Sequence, residues 1–289
     1  MQSISNTPVF ILCGGLGTRI KEETEFLPKP MVPIGKHPIL WHIMHLYSNW
    51  GFKKFILCTG FKSEIIKNYF LMYSSMHSDF TVDLRTNNLT VHSTHHEEDW
   101  EVTVAYTGEE TMTGARLHIA ANHYLHDEVE HAAVTYGDGL CNANFQDEFN
   151  YHQKHGKIGT ILGVNPPSRF GEIRLEGDAV AEFNEKPQFP EKWINGGFFF
   201  FRRRFFTDYL QADPNCILEK APLVQLAKDG ELNMYKHRGF WACMDTQRDR
   251  DHLNDLWKNG KAPWAHRLPQ LGIQTGISTK QLQESTHAV

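Results

Sequence analysis

The chain has 289 residues, 40% of them hydrophobic and 22% charged, a balance that excludes a disordered tail, a collagen-like fibre and a disulfide miniprotein. Lys plus Arg number 29 against 34 Asp plus Glu, a formal net charge of −5, so the chain lacks the positive field that non-specific binding to nucleic acid or a membrane surface requires; an anionic small ligand needs only a local basic cluster. The five cysteines, an odd number with no C-x-x-C pair, read as reduced thiols, and a cytoplasmic protein without signal peptide or membrane span is expected.

The length suggests one or two domains, and no linker or repeat divides the chain. Residues 8–13 (PVFILC) form an apolar run ended by glycines, which predicts a buried strand opening into a loop. Helical spacing follows from Pro38 to Trp50, with Pro38 suited to a first turn and Gly51 to a stop. Trp41, Met44 and Tyr47 on it read as core. His42 and His45 lack metal-ligand spacing with supporting carboxylates and read as half-buried or surface histidines. Residues 52–60 predict a strand and 63–73 a helix, and this alternation argues for a parallel sheet with crossover helices. Residues 132–140 repeat the theme, then 145–155 read as helix and 160–164 as strand. Stretches 80–106 and 170–201 alternate and carry aromatic and turn residues; they predict antiparallel strands added at the edge of the parallel sheet. A last helix spans 246–258. The fold class expected is α/β, mainly parallel with added antiparallel strands, as one domain over 1–264 followed by a weakly ordered tail, 265–289.

The chemistry concentrates after the strands. Leu12-Cys13-Gly14-Gly15-Leu16-Gly17-Thr18-Arg19 lets main-chain N–H groups approach phosphate oxygens. Ile20 excludes a dinucleotide fingerprint, and Thr18-Arg19 after Gly17 excludes a Walker loop. Leu27-Pro28-Lys29-Pro30-Met31 fixes one lysine between two prolines. Arg19 and Lys29 converging on a glycine loop suit a triphosphate. Gly137-Asp138-Gly139 ends an apolar strand, where a carboxylate is placed either for a divalent cation or for an ordinary turn. Asp245 follows another apolar run and reads as a second cation ligand, as the N-cap of the last helix, or as both. Phe183-Asn184-Glu185-Lys186-Pro187 holds a lysine suited to a phosphate, and the glycines of Asn195-Gly196-Gly197 allow close approach of a ring-shaped polar ligand.

In this order these strings resemble the sugar-1-phosphate nucleotidylyltransferases, from about residue 8 to 264. The likeness is greater to the cytidylyltransferase branch, through Pro38–Met44, Met112–Leu117, Thr135–Gly139, Ile194–Phe199, Met244–Asp249 and Gly260–Trp264. The resemblance implies a Rossmann-like nucleotidyltransferase fold and an enzyme joining CTP to α-D-glucose 1-phosphate with Mg²⁺. It also implies a place in nucleotide-sugar and polysaccharide biosynthesis and a homo-oligomer. By resemblance, Leu12, Gly14, Gly15, Gly17, Thr18, Thr111 and Arg116 contact the nucleotide. Arg19 and Lys29 are catalytic and also touch it, Asp138 and Asp245 hold the metal, and Lys186, Asn195, Gly196 and Gly197 take the sugar phosphate. Ala115 stands for a family glycine and Glu172 for a family alanine, the latter adding a carboxylate on the sugar side. Another base or sugar, or a non-catalytic nucleotide-sugar-binding relative, are the rival readings.

Overall fold

The computed structural model describes residues 2–15, 26–92, 99–166, 172–184 and 192–265, so nearly all of the expected tail lies outside them. In chain order the first elements are β1 (Val9–Cys13), the short pair β2 (Pro33–Ile34) and β3 (His37–Pro38), α1 (Ile39–Ser48), β4 (Lys54–Thr59), α2 (Ser63–Leu71) and α3 (Tyr73–His77). Next come β5 (Phe80–Asp83), β6 (Asn88–Val91), β7 (Glu101–Tyr106), α4 (Thr113–Tyr124), β8 (His131–Tyr136), β9 (Gly139–Cys141), α5 (Phe145–His155) and β10 (Gly159–Val164). The rest are β11 (Glu172–Glu176), β12 (Ala179–Asn184), β13 (Ile194–Arg202), α6 (Arg203–Asp208), α7 (Ala221–Lys228), β14 (Leu232–His237), β15 (Trp241–Cys243) and α8 (Gln247–Lys258). None of the helices among the described residues is long and apolar enough to cross a membrane.

A seven-stranded sheet runs in the order β14-β10-β13-β8-β1-β4-β7. β1 pairs parallel with β4 and β8, β4 with β7, and β10 with β14; β13 alone is antiparallel to both neighbours, β10 and β8. Two expectations change. Residues 101–106 form a parallel edge strand, since the one-sided exposure of an edge gives the same alternation as an antiparallel strand. The reversed strand β13 lies inside the sheet, where both of its backbone edges are paired and Phe198–Phe201 are buried on both faces. The pairs β5–β6 and β11–β12 are separate two-stranded ribbons.

The two-residue period of β1 divides the core. Val9, Ile11 and Cys13 face the layer of α1 and α5; Phe10 and Leu12 face that of α4, α6 and α7. Trp41, Met44 and Tyr47 are buried as expected, but His42 and His45 are buried too. His42 Nε2 donates to the Ile34 carbonyl at 2.9 Å, and burial depresses its pKa to about 3. All five cysteines are free.

Candidate active site

The carboxyl ends of β1, β4, β7 and β8 share one edge of the sheet. Because β13 runs the other way, its first residues reach that same edge. Two cavities lie there. One, of about 240 Å³, is walled by Leu12–Gly15, Lys29, Pro30, Thr111–Thr113, Arg116 and Tyr136–Asp138. The other, of about 300 Å³, is walled by Tyr136, Asp138, Gly139, Asn195–Gly197, Trp241, Cys243 and Asp245. Tyr136 and Asp138 line both. The structure thus gathers Leu12, Gly14, Gly15, Lys29, Thr111, Arg116 and Asp138 about one cavity, and Asn195, Gly196, Gly197 and Asp245 about the next. Gly17, Thr18, Arg19 and Lys186 lie outside the described residues.

Lys29 sits in a single 3-10 turn, Lys29–Met31, with Pro28 before it and Pro30 within it. Its Nζ donates to Asp138 Oδ2 at 2.6 Å and to Asp245 Oδ1 at 2.8 Å. Burial works to lower its pKa, yet the charge of Asp138 and the hydrogen bonds to both carboxylates hold it above the ordinary lysine value. Asp245 reaches this place because β15 pairs with β9 next to Asp138, and Met244 N donates to the Asp138 carbonyl at 2.9 Å. The cap of α8 is Thr246, not Asp245. Asp249 N donates to Thr246 Oγ1 at 3.2 Å, and Asp249 Oδ2 accepts from Thr246 N at 2.9 Å and Asp245 N at 3.2 Å. Asp138, Cys243 and Asp245 bring one ligand atom each within 4.8 Å of one another. Burial, then the two carboxylates, push the Cys243 thiol up, so it stays protonated.

Arg116 is 4% exposed, and its guanidinium is turned to the main chain. It donates to the carbonyls of Gly14 (2.9 Å), Thr59 (3.2 Å), Glu109 (2.8 Å) and Gly108, and to Thr107 Oγ1 (2.9 Å). These acceptors sit at or just beyond the ends of β1, β4 and β7, so Arg116 straps three strand ends together beneath the cavity. Burial lowers its pKa, but a guanidinium keeps its charge in a protein.

The second cavity is set by shorter-range contacts. Asn195 Oδ1 accepts from Gly197 N at 2.8 Å, and Trp241 Nε1 donates to the Gly196 carbonyl at 2.7 Å. Gly197 has φ +81°, and a Cβ there would run into the Tyr136 ring. Tyr136, Trp241 and Glu219, which accepts from the Tyr136 hydroxyl, escaped the choice of candidates. Tyr136 carried a usable signal, being the last residue of an apolar strand before Gly-Asp-Gly. Trp241 and Glu219 carried none, since only the tertiary fold brings them in.

Comparison with known proteins fits this arrangement. A sequence model described as nucleotidyl transferase matches residues 9–246. Over 254 residues the chain is 44% identical to the glucose-1-phosphate cytidylyltransferase of Salmonella typhi, covering 88% of this chain and 97% of that one. It is 42% identical to the probable glucose-1-phosphate cytidylyltransferase of Bacillus subtilis, with the same shares covered. Among solved structures, a putative glucose-1-phosphate thymidylyltransferase from Bacillus anthracis superposes with a TM-score of 0.63 at 16% identity, over 86% of this chain and 94% of that one. HddC from Yersinia pseudotuberculosis does so with a TM-score of 0.61 at 22% identity, over 86% and 98%. These two share the fold. The chain therefore belongs to the nucleotidyl transferase family and, within it, stands with the glucose-1-phosphate cytidylyltransferases.

Proposed function

We propose that the chain transfers a cytidylyl group from CTP to α-D-glucose 1-phosphate, giving CDP-glucose and pyrophosphate. The observation that carries this reading is the meeting of two cavities at Tyr136 and Asp138, in a chain 44% identical over most of its length to cytidylyltransferases of that name. A phosphate oxygen of the sugar phosphate attacks the α-phosphorus in line; the bond to pyrophosphate breaks as the new P–O bond forms. No covalent enzyme intermediate is required, so catalysis consists of positioning and charge stabilisation.

In this reading Leu12, Gly14, Gly15, Gly17, Thr18 and Thr111 cradle the nucleotide, and Arg116 holds that cradle from below. Arg19 and Lys29 offset charge growing on pyrophosphate. Lys186 takes the sugar phosphate, and Asn195, Gly196 and Gly197 take its hydroxyls. Asp138 and Asp245 would hold Mg²⁺. Their carboxylate oxygens are the hard donors it prefers, and the pair already gathers a cation, the Lys29 ammonium. Cys243, a soft sulfur donor, is not the kind of ligand Mg²⁺ prefers. Bound there, Mg²⁺ supplies positive charge to the phosphates. The free cysteines support a cytoplasmic setting, in which the chain, as a homo-oligomer, makes nucleotide sugars for polysaccharide synthesis.

Pyrophosphate release from each of four nucleoside triphosphates against a panel of sugar 1-phosphates tests the reading. CTP with glucose 1-phosphate should react fastest and stop on chelation of Mg²⁺. A faster pair replaces the assignment of base or sugar, turnover without divalent metal removes the metal, and no release with any pair leaves a non-catalytic binding protein. Sedimentation velocity tests the oligomer.

A further inference from the structure

We propose that Glu219 is a positioning residue for this reaction, a carboxylate that ties the nucleotide-side wall to the tyrosine shared by both cavities by holding Thr113 and Tyr136 at once. The inference rests on the function proposed above.

Glu219 ends a segment stitched to the start of α4. Met112 N donates to the Pro214 carbonyl at 2.8 Å, and Gly114 N and Ala115 N donate to that of Cys216 at 2.9 and 3.1 Å. The last two bonds occupy N–H groups of the first turn of the helix. Thr113 lines the nucleotide-side cavity; its hydroxyl accepts from Leu218 N at 2.9 Å and donates to Glu219 Oε2 at 3.1 Å. The other oxygen, Oε1, accepts from the Tyr136 hydroxyl. One carboxylate therefore serves two hydroxyl donors, one on the nucleotide-side wall and one on the residue shared by both cavities, and both bonds are strengthened by its charge.

Tyr136 is what these contacts hold in place. Its ring lines both cavities, and Gly197 packs against one face of it so closely that no side chain fits there. Besides Glu219, the hydroxyl has Asn195 Nδ2 at 3.5 Å, the outer limit of a hydrogen bond. Without Glu219 the tip of the ring loses its strong acceptor and the ring can turn into either cavity. In-line attack needs the reacting atoms about 3–3.5 Å apart, and a displacement of about 1 Å costs about a hundredfold in rate.

The test is a double-mutant cycle in the full-length protein, read by pyrophosphate release under saturating CTP, glucose 1-phosphate and Mg²⁺. Glu219→Ala should lower kcat by about ten- to a hundredfold while both KM values stay within about threefold. Glu219→Gln should recover most of the loss, since its amide oxygen still accepts from Tyr136. Tyr136→Phe should match Glu219→Ala, and the double variant should be no slower than Tyr136→Phe alone. Multiplicative losses in the double variant, or a defect confined to one KM, overturn the proposal. If Glu219→Ala does not fold, the near-isosteric Tyr136→Phe decides: an unchanged kcat overturns it. If CTP and glucose 1-phosphate do not react but another pair does, the function reading alone falls and the four proteins are compared on that pair. No reaction with any pair sinks both.

Discussion

The two cavities that meet at Tyr136 are held open by different means. On the nucleotide side the walls are parallel strand ends, strapped through their carbonyls by the buried Arg116. On the sugar side they rest on the first turn of one reversed strand, on a glycine at φ +81° and on single side-chain bonds from Asn195 and Trp241. The first wall is inseparable from the sheet, whereas the second can be recut locally. A protein built this way can change its sugar without changing how it grips a triphosphate.

The largest effect that could break this contrast comes from Arg116→Met. It strands several buried acceptors at about 1–3 kcal/mol each, so the protein should unfold or lose much of its stability in urea. A stable variant with only a raised CTP KM would make Arg116 a ligand group rather than a strap. Gly197→Ala comes next. The backbone conformation costs about 1–3 kcal/mol, and the collision with Tyr136 adds to it. The sugar-phosphate KM should rise by about tenfold or more while that for CTP holds; equal rises would show the walls to be one unit. Trp241→Phe sharpens the picture further. Losing the bond to the Gly196 carbonyl costs about 1 kcal/mol, about a fivefold rise in the sugar-phosphate KM alone.

Acid should discriminate least, because it acts on the core beneath both cavities. Burial holds His42, His131 and His152 at pKa values of about 3, 4 and 2, below their ordinary 6.5, so they are neutral when folded. The unfolded chain takes up protons below pH 6.5 and the folded one does not. Stability is therefore full above pH 6.5 and is lost as pH falls toward 4. Melting curves between pH 7.5 and 4 should show that loss, with both KM values moving together until unfolding begins. The Glu148 carboxyl is pushed up by burial and has the opposite sign: its contribution fades as pH rises above 4.5. Glu148→Gln should flatten the alkaline side of the same curves.

What could be read from the sequence was whatever has a local cause. The run of β1 into glycines, the stop at Gly51 and the strand before Gly-Asp-Gly all depend on residues a few positions apart. The capping pair Thr246 and Asp249 was equally local, yet Asp245 drew attention as a cap because it stands one residue earlier. Long-range facts were not readable. Alternation in 101–106 does not say which strand pairs with it, and the phenylalanines of β13 do not announce a central place. Arg116 shows its charge in the sequence, but not that its guanidinium, in the cavity wall, is bonded to the carbonyls of three strand ends. His42 and His45 looked peripheral because nothing local says that Trp264 closes over the first and Trp100 over the second; Trp264 Nε1 donates to His42 Nδ1 at 3.4 Å.

The reciprocal bonds between Thr246 and Asp249 have a price of their own. With Asp249 gone, the N–H groups of Asp245 and Thr246 lose their acceptor beside the carboxylate that Lys29 holds. Position 249 borders neither cavity, so losing its carboxylate would imitate a catalytic lesion from outside the pocket. A mutational screen scored only on product would count it with the pocket residues.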